Sequence, residues 1–466
     1  MGRSSTEPST TGRCAEVAIS DDVLVIGGGL AGAMAALAAA ERDVRVRLVT
    51  YKQSTLRQAS GLIDVLGYAP DGDGPLVDPF EALEGLPTGH PYERVGSEAV
   101  REALAFFDEV AGDAYVGDHT DANALVPTHG GTVKPTARYP TATAAGLASD
   151  NRDALLVGFE TLPDFDGPLA ASHLAAAGVP FDARGVTLSF PGIERDDAKV
   201  TRYAHLLERD EAVSVDDSAA TVGARDALAE SVDEHLEGEP RVGFPAILGD
   251  ERADEVRTAL GEGLGVDVFE VPMGPPSLPG MRLSDLLYDA LEDAGVRVTS
   301  GVPVVDYEVD PRGSSDTPAD PSAAKTSDDP ARGRIDHVVV DRNGAEVPHR
   351  ADQYVLATGG LVGKGVRSDR EGVREPIFDC HVPHPEDRYD WFVDGVFGDQ
   401  PYARFGLDVD RELRPLETDS RPTFSNLRAA GAVLGGYDFA AEKSGSGVSL
   451  ATGYVAGRRA STAVIR

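Results

Sequence analysis

The chain has 466 residues, 41% of them apolar, which is material for a large core and, on length alone, for roughly three domains. Its 78 Asp and Glu against 43 Lys and Arg leave a formal charge of −35, spread along the sequence rather than gathered in a tail; such a surface repels nucleic acid and excludes that class of partner. Two cysteines far apart, Cys14 and Cys380, supply neither a disulfide framework nor a metal cluster, so the compartment reads as reducing and no metal site is expected.

Only six of the basic residues are Lys and aromatics stand at 6%, the balance of a protein solvated in concentrated salt, where ions screen the self-repulsion. Residues 1–20 are rich in Ser and Thr, with neither an apolar stretch nor a twin-Arg signal, and read as a flexible leader. No run approaches the roughly 18 apolar residues of a membrane span. Any membrane contact is therefore expected through a partner.

Residues 22–26 form a short β-branched run that flows straight into Gly27-Gly28-Gly29-Leu30-Ala31-Gly32, an Ala-rich helix near 33–42 and a second strand at 45–50. In this strand–glycine turn–helix pattern Gly27 makes the tight turn, Gly29 lets backbone approach a pyrophosphate, and Gly32 lets the helix lie against the strand. The helix N-terminus offers unpaired N–H groups to the anion. The acidic residue that ends the second strand in NAD-binding proteins is missing; Thr50 stands there.

Between about 60 and 350, apolar strands such as 154–159 and 241–247 alternate with Ala-rich, acid-rich helices, as in a substrate or cap domain set into a dinucleotide-binding domain. The Ser, Asp, Pro and Ala of 311–334 read as a solvated loop. A hairpin is expected at 334–340 and 345–350, turning at Asn343-Gly344, followed by a separate buried strand ending in Thr358-Gly359-Gly360. A third glycine cluster holds Gly431, Gly435, Gly436, Gly445 and Gly447 before a small-residue helix.

The combination predicts a Rossmann-like α/β flavoprotein of the two-dinucleotide-domain type with an inserted cap domain. The division is 1–20 leader, 21–150 first part of the dinucleotide-binding domain, 151–308 insert, 309–333 disordered acidic loop and 334–466 return. The helix after Gly445 is expected to point its positive end at the flavin's N1 and O2.

Gly27 to Gly32 with Thr50, Gln53-Ser54, Ser60-Gly61-Leu62-Ile63-Asp64, His90-Pro91-Tyr92, Pro127-Thr128 with Gly131-Thr132, Pro275 to Leu283, Leu356-Ala357-Thr358-Gly359, Gly372 to Ile377, Phe405-Gly406, Leu413-Arg414-Pro415 and the 431–447 segment come in an order and spacing that resemble the B subunit of the anaerobic, quinone-linked glycerol-3-phosphate dehydrogenase, of haloarchaeal type. The resemblance implies two partners in a complex: a second flavoprotein, which is the catalytic A subunit, and an iron–sulfur, membrane-docking C subunit. Together the three oxidise sn-glycerol 3-phosphate and deliver electrons to quinone at the cytoplasmic face of the membrane. The resemblance also implies FMN, whereas the glycine turn is built for a pyrophosphate and hence FAD.

Candidate cofactor contacts are Gly27, Gly28, Gly29, Gly32, Thr50, Ser60, Gly61, Thr358, Gly359 and the five glycines of the last cluster. Arg282 and Arg374 are candidate phosphate-binding cations, each with a structural ion pair as its alternative. His90 is the candidate base, with a turn cap as alternative; His129 is a weaker one. Lys134 and Asp64 could touch flavin or phosphate. Cys380, His381 and His384 read as a loop rather than a metal site. Two further functions stay open: a non-catalytic assembly or relay role in the complex, and a free-standing fumarate-reductase-type FAD enzyme, because arginines do not distinguish phosphate from carboxylate.

Overall fold

The computed structural model describes residues 19–52, 54–195, 198–214, 221–310, 333–396 and 398–465. The expected leader and the acidic loop at 309–333 lie, apart from their edges, outside the described residues, as does Gln53.

Two units form around separate cores. In the first, a seven-stranded sheet runs Arg297–Ser300, Val46–Thr50, Ile19–Ile26, Ala345–Leu356, Ile335–Arg342 and Val304–Val309, with Leu427–Ala429 also paired to Ala345–Leu356. Ile19–Ile26 pairs in parallel with both neighbours, and its continuous apolar run Val23 to Ile26 is buried, as a strand covered on both faces requires. The second unit has a four-stranded parallel sheet in the order Asp267–Val271, Arg241–Pro245, Ala154–Phe159, Ala183–Leu188, and Ala154–Phe159 is buried along its whole length. Helices Gly167–Ala177, Val200–Glu208, Ala224–Asp233 and Ala253–Leu264 contribute to its core.

Two expectations change. The insert ends near 277, not at 308. Helix Leu278–Asp293 turns Leu283, Leu287 and Leu291 into the first core, and Arg297–Ser300 extends the first sheet beside Val46–Thr50. In addition, the hairpin and the buried strand after it are one twelve-residue strand, Ala345–Leu356. Its first half pairs antiparallel with Ile335–Arg342, and its second half pairs in parallel with Ile19–Ile26 and Leu427–Ala429. The burial pattern passes from alternating to continuous at that change of partner.

The two ends of the chain pack together through small residues. The last helix, Gly445–Ile465, crosses helix Leu30–Ala40 so closely that a Cβ at Gly453 or Gly457 would overlap the carbonyl oxygen of Ala31 or Ala35.

Candidate functional site

The site starts where Ile19–Ile26 ends. Gly27 has φ +117°, a conformation that side chains oppose, and a Cβ there would overlap the Ala357 carbonyl oxygen. A Cβ at Gly32 would in turn overlap the Gly27 carbonyl oxygen. The first glycine turn, the first helix and the turn after Leu356 therefore touch backbone to backbone. Gly28 is covered by Tyr288, whose hydroxyl donates to the Gly28 carbonyl at 3.2 Å, and by Thr50. The Thr50 hydroxyl itself donates to the Lys52 carbonyl at 3.2 Å.

Gly29 differs from its neighbours. A Cβ there would meet only Ser54 Oγ, at 3.4 Å, so the space beside it is open. It is the N-cap of Leu30–Ala40, no side chain caps that helix, and no acidic residue lies in its first turn. Its first N–H groups are thus presented as an anion seat. In the turn after Leu356, whose backbone abuts Gly27, Thr358 Oγ1 is buried toward Gly365 without a hydrogen-bond partner among the described residues, and Gly359, at φ +83°, faces open space apart from Gly363 Cα at 3.4 Å. A bare helix end with open space beside its first glycine fits a phosphate-bearing cofactor. The missing acid at Thr50 leaves the ribose without a carboxylate from this strand.

Ser60 and Gly61 are tied to another part of the chain. Ser60 Oγ accepts the Leu62 N–H at 3.4 Å, and a Cβ on Gly61 would lie 2.7 Å from Pro279. The 55–61 segment thus rests on the start of helix Leu278–Asp293. Gly431 sets the last glycine cluster against the first helix, its would-be Cβ 2.6 Å from that of Ala31. The other glycines of the cluster answer to packing: Gly435 faces Gly406, Gly436 faces Gly89, Gly445 faces Phe439, and Gly447 lies against the Asp64 carbonyl and the Tyr92 hydroxyl.

The N-terminus of Gly445–Ile465 is not the open seat expected for the flavin's N1 and O2. Asp64 Oδ1 accepts the N–H groups of Ser446 and Gly447 at 3.0 and 3.2 Å and the Ser446 hydroxyl at 2.6 Å, while Lys134 Nζ sits 2.8 Å from Oδ2. Burial pushes the Asp64 carboxyl up, but Lys134, Ser446 and Gly447 outweigh it and hold the group below the ordinary carboxylate range. The positive end of this helix is already matched by a carboxylate, and Lys134 is the cation beside it. The partners lie 382 residues apart in sequence, so no local pattern announces them.

The three candidate catalytic side chains are not brought together; each is held by its own carboxylate. Arg282 forms two bonds to Glu270, at 2.6 and 2.9 Å, and Nε donates to the Gly249 carbonyl at 2.9 Å, so it joins the two units instead of presenting a cation. Arg374 is half exposed on a short two-stranded ribbon and pairs with Asp369 at 3.2 Å. His90 is fully buried. Its Nδ1 accepts the Tyr92 N–H at 3.1 Å and caps helix Pro91–Val95, which leaves Nε2 to donate to Glu442 at 3.1 Å. Both ring nitrogens are used, so His90 is a capping residue and offers no free base.

His129 is exposed. Cys380 is buried, and burial pushes its thiol up. Among the described residues no three His, Cys, Asp or Glu side chains are grouped as metal ligands, and no helix is long and apolar enough to cross a membrane. Tyr288 over Gly28 was not foreseen; its only signal is an aromatic at the inner face of a helix assigned to the other unit.

The family of FAD binding domains matches residues 22–448. That match decides the open choice between FMN and FAD: the cofactor is FAD. The B subunit of a probable anaerobic glycerol-3-phosphate dehydrogenase from Halobacterium salinarum (strain ATCC 29341 / DSM 671 / R1) is 60% identical over 448 residues, 96% of this chain and 99% of that protein. The B subunit of an anaerobic glycerol-3-phosphate dehydrogenase from Pectobacterium atrosepticum is 30% identical over 443 residues, 92% and 96% of the two chains. On a match to the FAD binding domain over residues 22–448 and similarity over nearly its whole length, the chain belongs to the family of anaerobic glycerol-3-phosphate dehydrogenase B subunits, which are FAD-dependent oxidoreductases.

Proposed function

We propose that the chain is the flavoprotein B subunit of a membrane-associated complex that oxidises sn-glycerol 3-phosphate to dihydroxyacetone phosphate and passes the electrons to quinone. Its partners would be a second flavoprotein, the A subunit, and an iron–sulfur protein, the C subunit, which docks at the cytoplasmic face of the membrane. The observation that carries the reading is the glycine turn from Gly27 to Gly32, where helix Leu30–Ala40 begins without a side-chain cap and with open space beside Gly29.

In this reading the first N–H groups of helix Leu30–Ala40 receive the pyrophosphate, and Gly27 and Gly32 hold the turn in place. FAD, when bound, supplies a two-electron acceptor. Lys134 keeps the Asp64 carboxylate ionised at the last helix, which fixes the loop before it.

One observation favours the second reading, an electron-relay or assembly role. His90, Arg282 and Arg374 all have carboxylate partners, so a base and a phosphate clamp for the substrate are wanting from the candidates on this chain. The two readings separate in the purified assembly of all three subunits carrying Gly29→Asp in this chain. Loss of glycerol-3-phosphate-dependent quinone reduction places this chain's flavin on the electron path. Wild-type turnover from an assembly lacking that flavin gives the chain a scaffolding role.

A further inference from the structure

Among the described residues, exposed large apolar side chains concentrate in one short stretch. Tyr389 is 74% exposed, Phe392 49%, Val393 43%, Val396 83% and Tyr402 46%. These five fall within 14 positions, and clustered exposure of this kind marks an interaction surface where scattered exposure would not.

The stretch is built to hold them outward. Trp391 is its anchor: the indole N–H donates to the Pro385 carbonyl at 2.8 Å, and the ring meets Phe405 and His384 edge-on, with centroids 6.0 and 5.7 Å away. Asp387 caps the turn Arg388–Trp391 by accepting the Tyr389 N–H at 2.9 Å. Gln400 closes the loop beyond it, accepting the Val393 N–H at 3.0 Å and donating to the Gly395 carbonyl at 2.8 Å. One aromatic is thus sunk toward the core while its neighbours are presented to the outside by a hydrogen-bonded scaffold.

The rim selects the occupant. Glu386, Asp387, Asp390, Asp394 and Asp399 are all exposed and interleaved in sequence with the apolar side chains, against Arg388 and Arg404, and Arg404 is taken by Asp399 at 2.7 Å. An anionic bilayer would be repelled by that rim, and a second copy of this chain would bring the same charges to it. The fitting surface is a protein with an apolar socket bordered by Lys and Arg. We propose that the exposed side chains of 386–396 and 398–404 form the docking surface of this chain for another protein of its complex, with Tyr389, Phe392 and Val396 as the side chains that enter the socket. This rests on the reading of the chain as one member of an assembly, not on the identity of the substrate.

The test uses the complex purified through a tag on this chain, wild type or Tyr389→Ser/Phe392→Ser/Val396→Ser. The triple variant is expected to keep its FAD content and Tm as a free chain, because its side chains are exposed, and to recover at least about tenfold less of the partner subunits. A zero-length carbodiimide cross-link is expected between Asp390 or Asp394 and a Lys of one of the two partners. Asp390→Lys/Asp394→Lys should weaken assembly without the apolar change. Partners recovered at the wild-type ratio by the triple variant overturn the proposal. So does a homodimer of the wild-type chain that the variant loses, or flotation of the wild-type chain with phosphatidylglycerol vesicles that the variant loses. A wild-type chain that purifies without any partner overturns the assembly reading as well.

Discussion

The substitution Gly29→Asp separates the cofactor seat from the fold that carries it. At Gly29 the backbone is extended, with φ −82° and ψ −174°, and only Ser54 Oγ comes within 4 Å of an added Cβ. Aspartate is a preferred N-cap in that conformation, so the apoprotein should gain a few tenths of a kcal/mol, roughly, from capping Leu30–Ala40. The cofactor meets the opposite effect. A carboxylate about 5 Å from one phosphate costs about 3 kcal/mol at an effective dielectric constant of about 20. Taking a first-turn N–H from the phosphate costs about 1.5 to 3 kcal/mol more, and the sum lowers FAD affinity at least about a thousandfold. FAD per chain after gel filtration and the Tm with and without added FAD measure both effects. The variant should melt at or slightly above the wild-type apoprotein and gain nothing from FAD, whereas Gly32→Ala, which drives a methyl into the Gly27 carbonyl, should lower the Tm. Stoichiometric FAD in Gly29→Asp, or a loss of stability like that of Gly32→Ala, refutes the reasoning.

Asp64→Ala should lower stability by about 3 to 5 kcal/mol, since it strands the Lys134 ammonium and uncaps Gly445–Ile465; chemical denaturation checks it. Because the folded carboxyl of Asp64 lies below its unfolded value of 3.8, its contribution is present above that pH and fades as pH falls through the depressed value, so the wild-type advantage should shrink below about pH 4. His90→Asn should leave the pH profile of kcat unchanged while costing about 1 to 2 kcal/mol of stability through the lost Glu442 contact; a missing acidic limb in the profile would restore His90 as a base. Burial pushes Glu375 up to about 7 from 4.5 and His349 down to about 4 from 6.5. The first favours the fold at low pH and is lost as pH rises toward 7; the second is lost as pH falls from 6.5 toward 4, so the two slopes oppose each other. Glu375→Gln removes the first, and its Tm relative to wild type should climb between about pH 4.5 and 7, worth about 3 kcal/mol. A constant difference would show that Glu375 does not bind its proton in that range.

Legibility in the sequence followed the range of the interaction. The turn from Gly27 to Gly32 was readable because a tight turn, an open cap and a close helix need glycines a few residues apart. The buried half of Ala345–Leu356 was readable as an apolar run, but its union with the preceding hairpin was not, because the face pattern changes where the pairing partner changes. Arg297–Ser300 is mostly exposed and shows no alternation of buried and exposed residues, so its place beside Val46–Thr50 came only from the folded sheet. Arg282 and His90 stood out as charged or titratable groups in compact motifs. Glu270 and Glu442, which occupy them, come from other elements, and whether a cation is free depends on such distant neighbours.

The central claim, that this chain holds FAD in the cradle at Gly29, is tested most directly by the anaerobic visible spectrum of the isolated chain, purified in molar salt, before and after glycerol 3-phosphate. The account predicts a flavin band from about one FAD per chain. Bleaching on addition of the substrate would locate an oxidising site here, and an unchanged band would assign that step to a partner. A correctly folded chain with no flavin band, even after incubation with FAD, would contradict the account.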